Sequence, residues 1–408
     1  MIVAHTLQSR MARRTVVGVC QSIWRSGATR LRILAFRLME RALPVKPRRW
    51  CFATWPGEYA HTLDNPRAVF EAVKDDPSIE KIILRRREQR PDTTHLEGVN
   101  VRAVQMESLL GAYCVATSGC LLIGYSIRGL CSYASFLSAR HHIIQLWHGI
   151  PLKRIGKLFP GETYWDAETH KYAATVCSST PDRAFMAQAF APIPEERVWL
   201  TGLPRNSTLL KDERSLARDH VHDLARLRRT LNGRRFILYA PTWRNDSTGL
   251  YDFSDDQLAS LEQFLSRANA VLGIRAHANR RLTGQDRGHS SIVFVNDYPD
   301  VNVVLRLTDV LVTDYSSIYI DFLLLDRPIV HFTYDFEHYV QERGFLYPFA
   351  AAIPAEDVAT FPELLARMDE ALSSGVQDRE RFMRVQALFH DHPEDSAAAV
   401  AERIRALS

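Results

Sequence analysis

Two short segments, far apart in the chain, hold the residue types from which proton transfer and anion binding are built. The first runs from Gln145 to Gly156 and contains Trp147-His148-Gly149-Ile150-Pro151, followed by Lys153 and Arg154. His142 to Trp147 reads as a buried strand, stopped by a glycine that permits a tight turn and a proline that fixes φ. His148 is left at the strand's carboxyl edge, where a neutral imidazole can take the proton of an attacking hydroxyl near pH 7. Gly149, Lys153 and Arg154 stand close enough in sequence to face an anionic group. The plainer alternative is a buried histidine donating to a backbone carbonyl; the turn residues and the paired bases weigh toward chemistry.

The second segment joins a strand, Asp309 to Thr313, to an apolar stretch, Ile318 to Leu325, with the density of a buried helix. Asp314-Tyr315-Ser316-Ser317 lies between them. Ser and Asp are strong N-cap residues, so this loop is expected to present amides and hydroxyls at a helix start, a phosphate site through orphan donors and the helix dipole. Simple capping by Ser316 or Asp314, with no ligand, competes with that reading. Asp314 would repel a phosphate and better suits orienting a hydroxyl or a base.

Two further strand ends deliver cations. Phe236 to Ala240 leads into Pro241-Thr242-Trp243-Arg244, and Val271 to Arg275 into Ala276-His277-Ala278-Asn279. Arg244, Arg275 and His277 together can neutralise a diphosphate, a task that suits the guanidinium fork. Asp321 is placed to brace the serine loop from behind. His390-Asp391-His392 resembles a metal cluster, but neighbours on an extended segment point to opposite faces, so a solvated loop is the better reading.

Positioning these loops requires parallel sheets. Strands are expected at Trp50–Thr54, Ile79–Leu84, Val99–Val104, Tyr113–Thr117, Ile143–Trp147, Thr175–Ser178 and Val198–Thr201, alternating with helices. The plan repeats at Phe236–Ala240, Val271–Ile274, Ile292–Val295, Val310–Thr313 and Ile329–Phe332. A charged helix over Leu209–Arg229 follows the junction, and a last helix near Asp395–Leu407 is expected to return to the first half.

Several motifs taken together resemble the CDP-glycerol glycerophosphotransferases of teichoic acid synthesis. They are Trp147 to Gly156, Gly202 to Asn206, Tyr239 to Arg244, Arg275 to His277, Thr313 to Phe322, Arg327 to Ile329 and Tyr334 to Tyr339, in the family's order. The resemblance implies an α/β fold of GT-B type, two Rossmann-like domains facing a cleft. It also implies transfer of a polyol phosphate from a CDP-activated donor to a hydroxyl of a lipid-linked or glycan acceptor, with release of CMP. By similarity, His148 and His277 match the family's essential histidines, and Asp314, Ser316 and Ser317 match its donor loop, with Thr313, Arg244 and Arg275 beside it. The family usually has Thr where Ile150 stands, Pro at Ala276 and Ala278, and Asp at Ser207, departures that bear on which donor and acceptor are used. The resemblance extends from about Arg49 to the end of the chain, and the expected division is an acceptor domain at 49–205, a CDP-donor domain at 206–394 and a C-terminal helix at 395–408, preceded by a basic arm at 1–48.

Composition is consistent with this reading. At 408 residues, 46% of them hydrophobic, two domains of ordinary size are expected. Six scattered cysteines without C-x-x-C spacing, and no cleavable signal, fit reduced thiols in a cytoplasmic protein. No D-x-D sequence occurs, so no metal or other cofactor is expected. The net charge of +4 conceals a division: residues 1–49 hold 11 Lys and Arg against one Glu, and the remainder is acidic. On a helical projection Val17, Cys20, Trp24, Leu31, Leu34 and Leu38 share a face bordered by Arg25, Arg30, Arg32, Arg37 and Arg41, a pattern suited to an anionic membrane surface. The same face can instead dock on the first domain. Nucleic acid is a poor partner, since the rest of the chain is acidic and holds no recognition module. A peripheral enzyme on the inner face of the cell membrane is the leading expectation. A GT-B glycosyltransferase using a nucleotide sugar and an inactive membrane-bound scaffold are the alternatives.

Overall fold

In the computed structural model, which describes residues 30–53, 64–86, 97–161, 164–242, 251–275, 291–391 and 395–407, the apolar runs pair into two wholly parallel sheets. The first holds β1 (Lys46–Phe52), β2 (Glu80–Arg85), β3 (Val101–Gln105), β4 (Ser118–Ile123), β5 (His142–Gln145), β6 (Tyr172–Cys177) and β7 (Val198–Leu200), in the order β3-β2-β1-β4-β5-β6-β7. The second holds β8 (Arg235–Tyr239), β9 (Ala270–Ile274), β10 (Ile292–Phe294), β11 (Val310–Thr313) and β12 (Ile329–His331), in the order β10-β9-β8-β11-β12. Strand order therefore reverses between β1 and β4 and again between β8 and β11. Ligands of open α/β sheets bind beyond the carboxyl ends of strands at such reversals.

Helices cover both sheets. In the first half they are α1 (30–42), α2 (Asp64–Val73), α3 (Leu109–Thr117) and α4 (Thr180–Ala189). The junction holds α5 (Ser207–Leu210) and α6 (Arg218–Leu231), and the second half α7 (Asp255–Arg267), α8 (Val301–Leu307), α9 (Ile318–Phe322) and α10 (Phe336–Arg343). The chain continues through α11 (Phe349–Ala352), α12 (Phe361–Ser374), α13 (Arg379–Phe389) and α14 (Ser396–Arg405).

Strand alternation sorts the core. Trp50 and Phe52 of β1, with Phe236 and Leu238 of β8, belong to one apolar cluster that runs continuously through both halves. Cys51 turns the other way, into a cluster of the first half, and Ile237 and Tyr239 into one of the second. The five cysteines among the described residues, Cys51, Cys114, Cys120, Cys131 and Cys177, are free and buried.

Three expectations change. Tyr113–Thr117 is the end of α3, and the strand is the next segment, Ser118–Ile123. This stretch is apolar all round, and burial on every side removes the period that separates helix from strand. The single helix expected over Leu209–Arg229 is broken at Asp212, whose side chain accepts from the Arg214 amide at 2.8 Å and turns the chain before α6. His390 and Asp391 form a clasp between the halves, because the imidazole bonds Ile320 O at 2.7 Å and the carboxylate accepts from Thr180 N at 2.8 Å. The return of the last helix is as expected: α14 packs on α2, and Arg405 pairs with Asp76 at 3.1 Å.

Helix α1 has two apolar stripes. Ile33, Phe36 and Met39 turn inward, Phe36 lying fully buried with its ring centre 6.1 Å from that of Tyr133. Leu31, Leu34 and Leu38, on the face singled out in the sequence, remain 69%, 54% and 59% exposed. Docking and an outward apolar face are thus compatible, since different residues serve each. Val17, Cys20, Trp24 and Arg25 lie outside the described residues. We expect Phe36→Ala to cost about 3–5 kcal/mol of stability through the cavity it leaves, and Leu34→Ala to leave the denaturation midpoint nearly unchanged. Urea unfolding of both variants checks this, and equal losses would contradict the docking.

Candidate active site

The site is built on the turn after β5. Trp147 has φ 52°, a left-handed conformation that a bulky side chain adopts at a cost of order 1–3 kcal/mol. Polar side chains hold this turn: the Trp147 amide donates to Gln145 Oε1 at 2.9 Å, while Asn65 Nδ2 donates to Leu146 O and Trp147 O at 3.1 and 3.0 Å. The His148 carbonyl accepts from Arg205 Nη1 at 2.7 Å. Aromatic rings complete the support, with Trp147 stacked near Tyr125 at 5.7 Å and packed edge-on to Trp165 and Phe190.

The imidazole that this strained turn carries is half-buried, with its ring centre 4.0 Å from that of Trp147 and 5.5 Å from that of Tyr125. His148 Nδ1 lies 3.2 Å from Gly124 O, so Nδ1 carries the hydrogen and Nε2 is left as the acceptor. The plainer sequence reading, a histidine donating to a backbone carbonyl, is met by this bond, and the same bond fixes the tautomer. Burial pushes its pKa down to about 3; the Gly124 bond opposes that fall, and the positive charges of Arg205 and Lys153 deepen it.

Gly149 touches the second motif directly. A Cβ there would lie 3.1 Å from Ser317 Oγ and 3.4 Å from Arg205 Nη2, so the histidine turn and the serine loop are in contact although far apart in the chain. Ser316 and Ser317 are both partly exposed. Helix α9 is only five residues long, and Ser317 at its start makes no side-chain cap, so the loop's own hydroxyls and amides matter more here than a helix dipole. Asp314 is buried; its Oδ1 accepts from Thr242 N at 2.7 Å and Tyr315 N at 2.5 Å, tying the loop after β8 to the loop after β11. Thr313 is buried with its hydroxyl on Ala240 O at 2.7 Å.

The remaining candidates are placed as follows. Lys153 forms a bridge with Phe345, and its ammonium stands 5.8 Å from the Tyr339 ring, which stacks on Tyr315 at 4.1 Å. Arg154 is exposed and, with Phe159, Phe336, Arg343, Phe345 and Phe349, lines a cleft of about 620 Å³ beside the serine loop. Arg275 directs its guanidinium to Val295 O at 3.0 Å and Tyr298 O at 2.8 Å, shaping the loop after β10. Asp321 is buried and paired with Arg205. Arg244 and His277 lie outside the described residues. Asn65, Gln145 and Arg205 had not been singled out. Arg205 stood within the Gly202–Asn206 motif, whereas Asn65 reads from sequence only as a helix-start residue.

Comparison with known proteins places this site in a family. Residues 35–405 match the family model described as CDP-Glycerol:Poly(glycerophosphate) glycerophosphotransferase. The chain belongs to this family. This glycerophosphotransferase-family chain is 29% identical over 238 residues to the teichoic acid ribitol-phosphate polymerase TarL of Staphylococcus aureus, covering 56% of the chain but 42% of the relative. It thus spans less than half the length of that polymerase. It is 24% identical over 370 residues to the teichoic acid ribitol-phosphate primase of Bacillus spizizenii, covering 88% of this chain and 91% of that one. Its fold matches the solved wall teichoic acid polymerase TagF with a TM-score of 0.72 at 23% identity, over 91% of this chain and 92% of that one.

One departure from the usual family pattern has a local explanation. Ser207 Oγ donates to Asp395 Oδ1 at 2.9 Å and accepts from Ala397 N at 3.2 Å, so an aspartate at 207 would face a carboxylate at the start of α14.

The burial of His148 has a measurable sign. Because burial disfavours the imidazolium, the ring stays neutral as pH falls through the ordinary histidine value of about 6.5. We expect the His148 ring resonances, assigned with His148→Gln, to stay constant from pH 8 down to about pH 5. A titration midpoint near 6.5 would place the ring in solvent and overturn the geometry.

Proposed function

We propose that the protein transfers a polyol phosphate, glycerol phosphate foremost, from a CDP-activated donor to a hydroxyl of a lipid-linked or glycan acceptor, releasing CMP in synthesis of a teichoic-acid-like or capsule polymer. The observation that carries this reading is the contact between the His148 turn and the serine loop. In-line transfer needs a base at the attacking oxygen and donors at the diphosphate within the reach of one substrate, and this contact supplies both.

In the reaction the acceptor oxygen attacks the β-phosphorus while Nε2 of His148 takes its proton. The bond from that phosphorus to the bridging oxygen breaks, and its electron pair leaves on CMP. The ring is neutral before the donor arrives, and the donor's negative diphosphate then favours the imidazolium as the proton moves. Ser316 and Ser317 hold the diphosphate, Thr313 and Asp314 set the loop's shape, and Arg244 and Arg275 add positive charge. His277, protonated, stabilises the departing CMP; the two histidines can exchange these roles. Since these cations and dipoles carry the charge, no step is assigned to a metal. Gly149, Lys153 and Arg154 face the acceptor side, where Arg343 extends the positive rim of the neighbouring cleft.

Relatives support the reading. Curated matches bear names for ribitol-phosphate polymerisation and for glycerol-phosphate transfer. Solved forms of TagF include two separate histidine variants, one of them soaked with CDPG. We read residues 49–205 as the acceptor half and 206–394 as the donor half, with 395–408 returning to the first.

Purified full-length protein, given CDP-glycerol, CDP-ribitol or a panel of UDP-sugars with membrane extract as acceptor, is expected to release CMP from a CDP-polyol. His148→Ala and His277→Ala should each lower that rate by a factor of about 10² or more. Turnover of UDP-sugars alone would make it a glycosyltransferase; silence with every donor, while nucleotide still binds, would favour a scaffold.

The arm at 1–48 is proposed to hold the enzyme on the anionic inner face of the membrane. Support comes from the exposed Leu31, Leu34 and Leu38 with Arg30, Arg32, Arg37 and Arg41 exposed on the same helix. Among the described residues no helix is long and apolar enough to cross a membrane. Replacing the three leucines by serine should abolish co-sedimentation with anionic vesicles while leaving the melting temperature within a few degrees. Undiminished sedimentation would remove this stripe as the anchor.

A further inference from the structure

One residue outside the proposed chemistry joins, through its side chain and its backbone, the His148 turn, the helix behind the serine loop and the starts of α2 and α8. Arg205 lies just after β7, on the stretch that joins the two halves, and its side chain is only 12% exposed. Its amide donates to Asn65 Oδ1 at 2.8 Å, the same Asn65 whose Nδ2 holds the carbonyls of Leu146 and Trp147. Its Nη1 donates to His148 O at 2.7 Å and to Asp64 Oδ1 at 3.3 Å. Its Nη2 donates to Asp321 Oδ2, on α9 directly behind the serine loop. The Arg205 carbonyl in turn accepts from Asn302 Nδ2 at 3.1 Å, which links it to α8.

These bonds differ in kind from an ordinary buried ion pair. A planar guanidinium fixes the directions of its N–H groups, so bonds made to a backbone carbonyl on one side and a carboxylate on the other set the separation of those two groups. Here the carbonyl is that of His148 itself, and the carboxylate belongs to the helix that follows Ser317. Arg205 also faces two carboxylates, Asp64 and Asp321, and their charge holds its pKa above the ordinary arginine value against the opposing effect of burial. The cation is permanent, and a lysine, with one flexible ammonium, cannot reproduce the fork.

We propose that Arg205 is a positioning residue that sets the distance between the His148 turn and the serine loop, with Asn65 as its support beneath the turn. It touches no reacting atom. Its effect is to keep base and donor loop at the spacing that in-line transfer requires, and misplacement by about 1 Å costs such a reaction on the order of 10²-fold. This inference rests on the polyol-phosphate transfer reading for its kinetic consequence, though not for its geometric one.

The test uses the full-length protein as wild type, Arg205→Lys, Asp321→Asn, His148→Ala and the Arg205→Lys/His148→Ala double variant. Each is assayed for CMP release from the CDP-polyol that the wild type turns over. Arg205→Lys is expected to lower kcat by about 30- to 100-fold, with KM for the donor within about threefold. Asp321→Asn, which keeps the shape but weakens the pair, should lower kcat less. In the His148→Ala background, Arg205→Lys should add less than about threefold, because a positioning residue has nothing left to position. Equal losses in both backgrounds would make Arg205 merely structural, and a raised KM at constant kcat would make it a donor ligand; either overturns the proposal.

Hydrogen exchange separates this inference from the proposed function. Whether or not the wild type turns over any donor, Arg205→Lys should speed amide exchange in both 146–152 and 314–322 while leaving β2 and β9 protected. Acceleration in neither loop, or in one alone, would defeat the positioning claim. A wild type inactive with every CDP-polyol, yet showing acceleration in both loops, would defeat only the reading of the reaction.

Discussion

The left-handed turn at Trp147 is the constraint around which the rest is arranged. A tryptophan at φ 52° is unfavourable by itself and persists because its neighbours over-determine it. Gln145 holds its amide, Asn65 its carbonyl, and Arg205 the carbonyl of the next residue. Each anchor comes from a different segment: the end of β5, the start of α2 and the stretch after β7. Relaxing the turn to an ordinary strand end would leave these buried groups without their partners and move Gly149 away from Ser317.

The same logic explains why the two halves share a core. In each sheet the candidate loops leave the carboxyl ends of strands near the reversal of strand order, so the sheets must meet at those ends for the loops to touch. The continuous apolar cluster through Trp50, Phe52, Phe236 and Leu238 supplies cohesion without direction. Direction comes from the polar links across it: Arg205 to Asp321, Thr180 to Asp391, and the pairing of Leu152 with Leu346 at 2.9 Å.

Much of this was legible in the sequence, and what was not has physical reasons. Abrupt ends of apolar runs located His148 and Ser316-Ser317, because glycine, proline and serine at a strand's end constrain the backbone locally. Their mutual contact could not be read in that way. Asn65 and Arg205 were missed because what they do depends entirely on what folding brings beside them, and nothing in their neighbours' sequence encodes it. Tyr113–Thr117 reads as a strand because the buried end of a helix, without a polar face, carries no period. In α1 the stripe through Leu31, Leu34 and Leu38 was legible, but the second stripe at Phe36 was not, and only the fold distinguishes which of two apolar faces a protein keeps for itself.

The docking of α14 on α2 bears on how the molecule comes into being. Arg405 and Asp76 are separated by 329 positions, and α2 is the helix that brings Asn65 beneath the turn of His148. During synthesis the first sheet can assemble as soon as its strands emerge, since domains tend to fold as units from the amino end. The helix beneath its strained turn, however, lacks part of its packing until residues near 400 have been made. The strained turn is therefore fully braced only after residues near 400 have left the ribosome, so its geometry is completed late in synthesis and not when the first sheet forms.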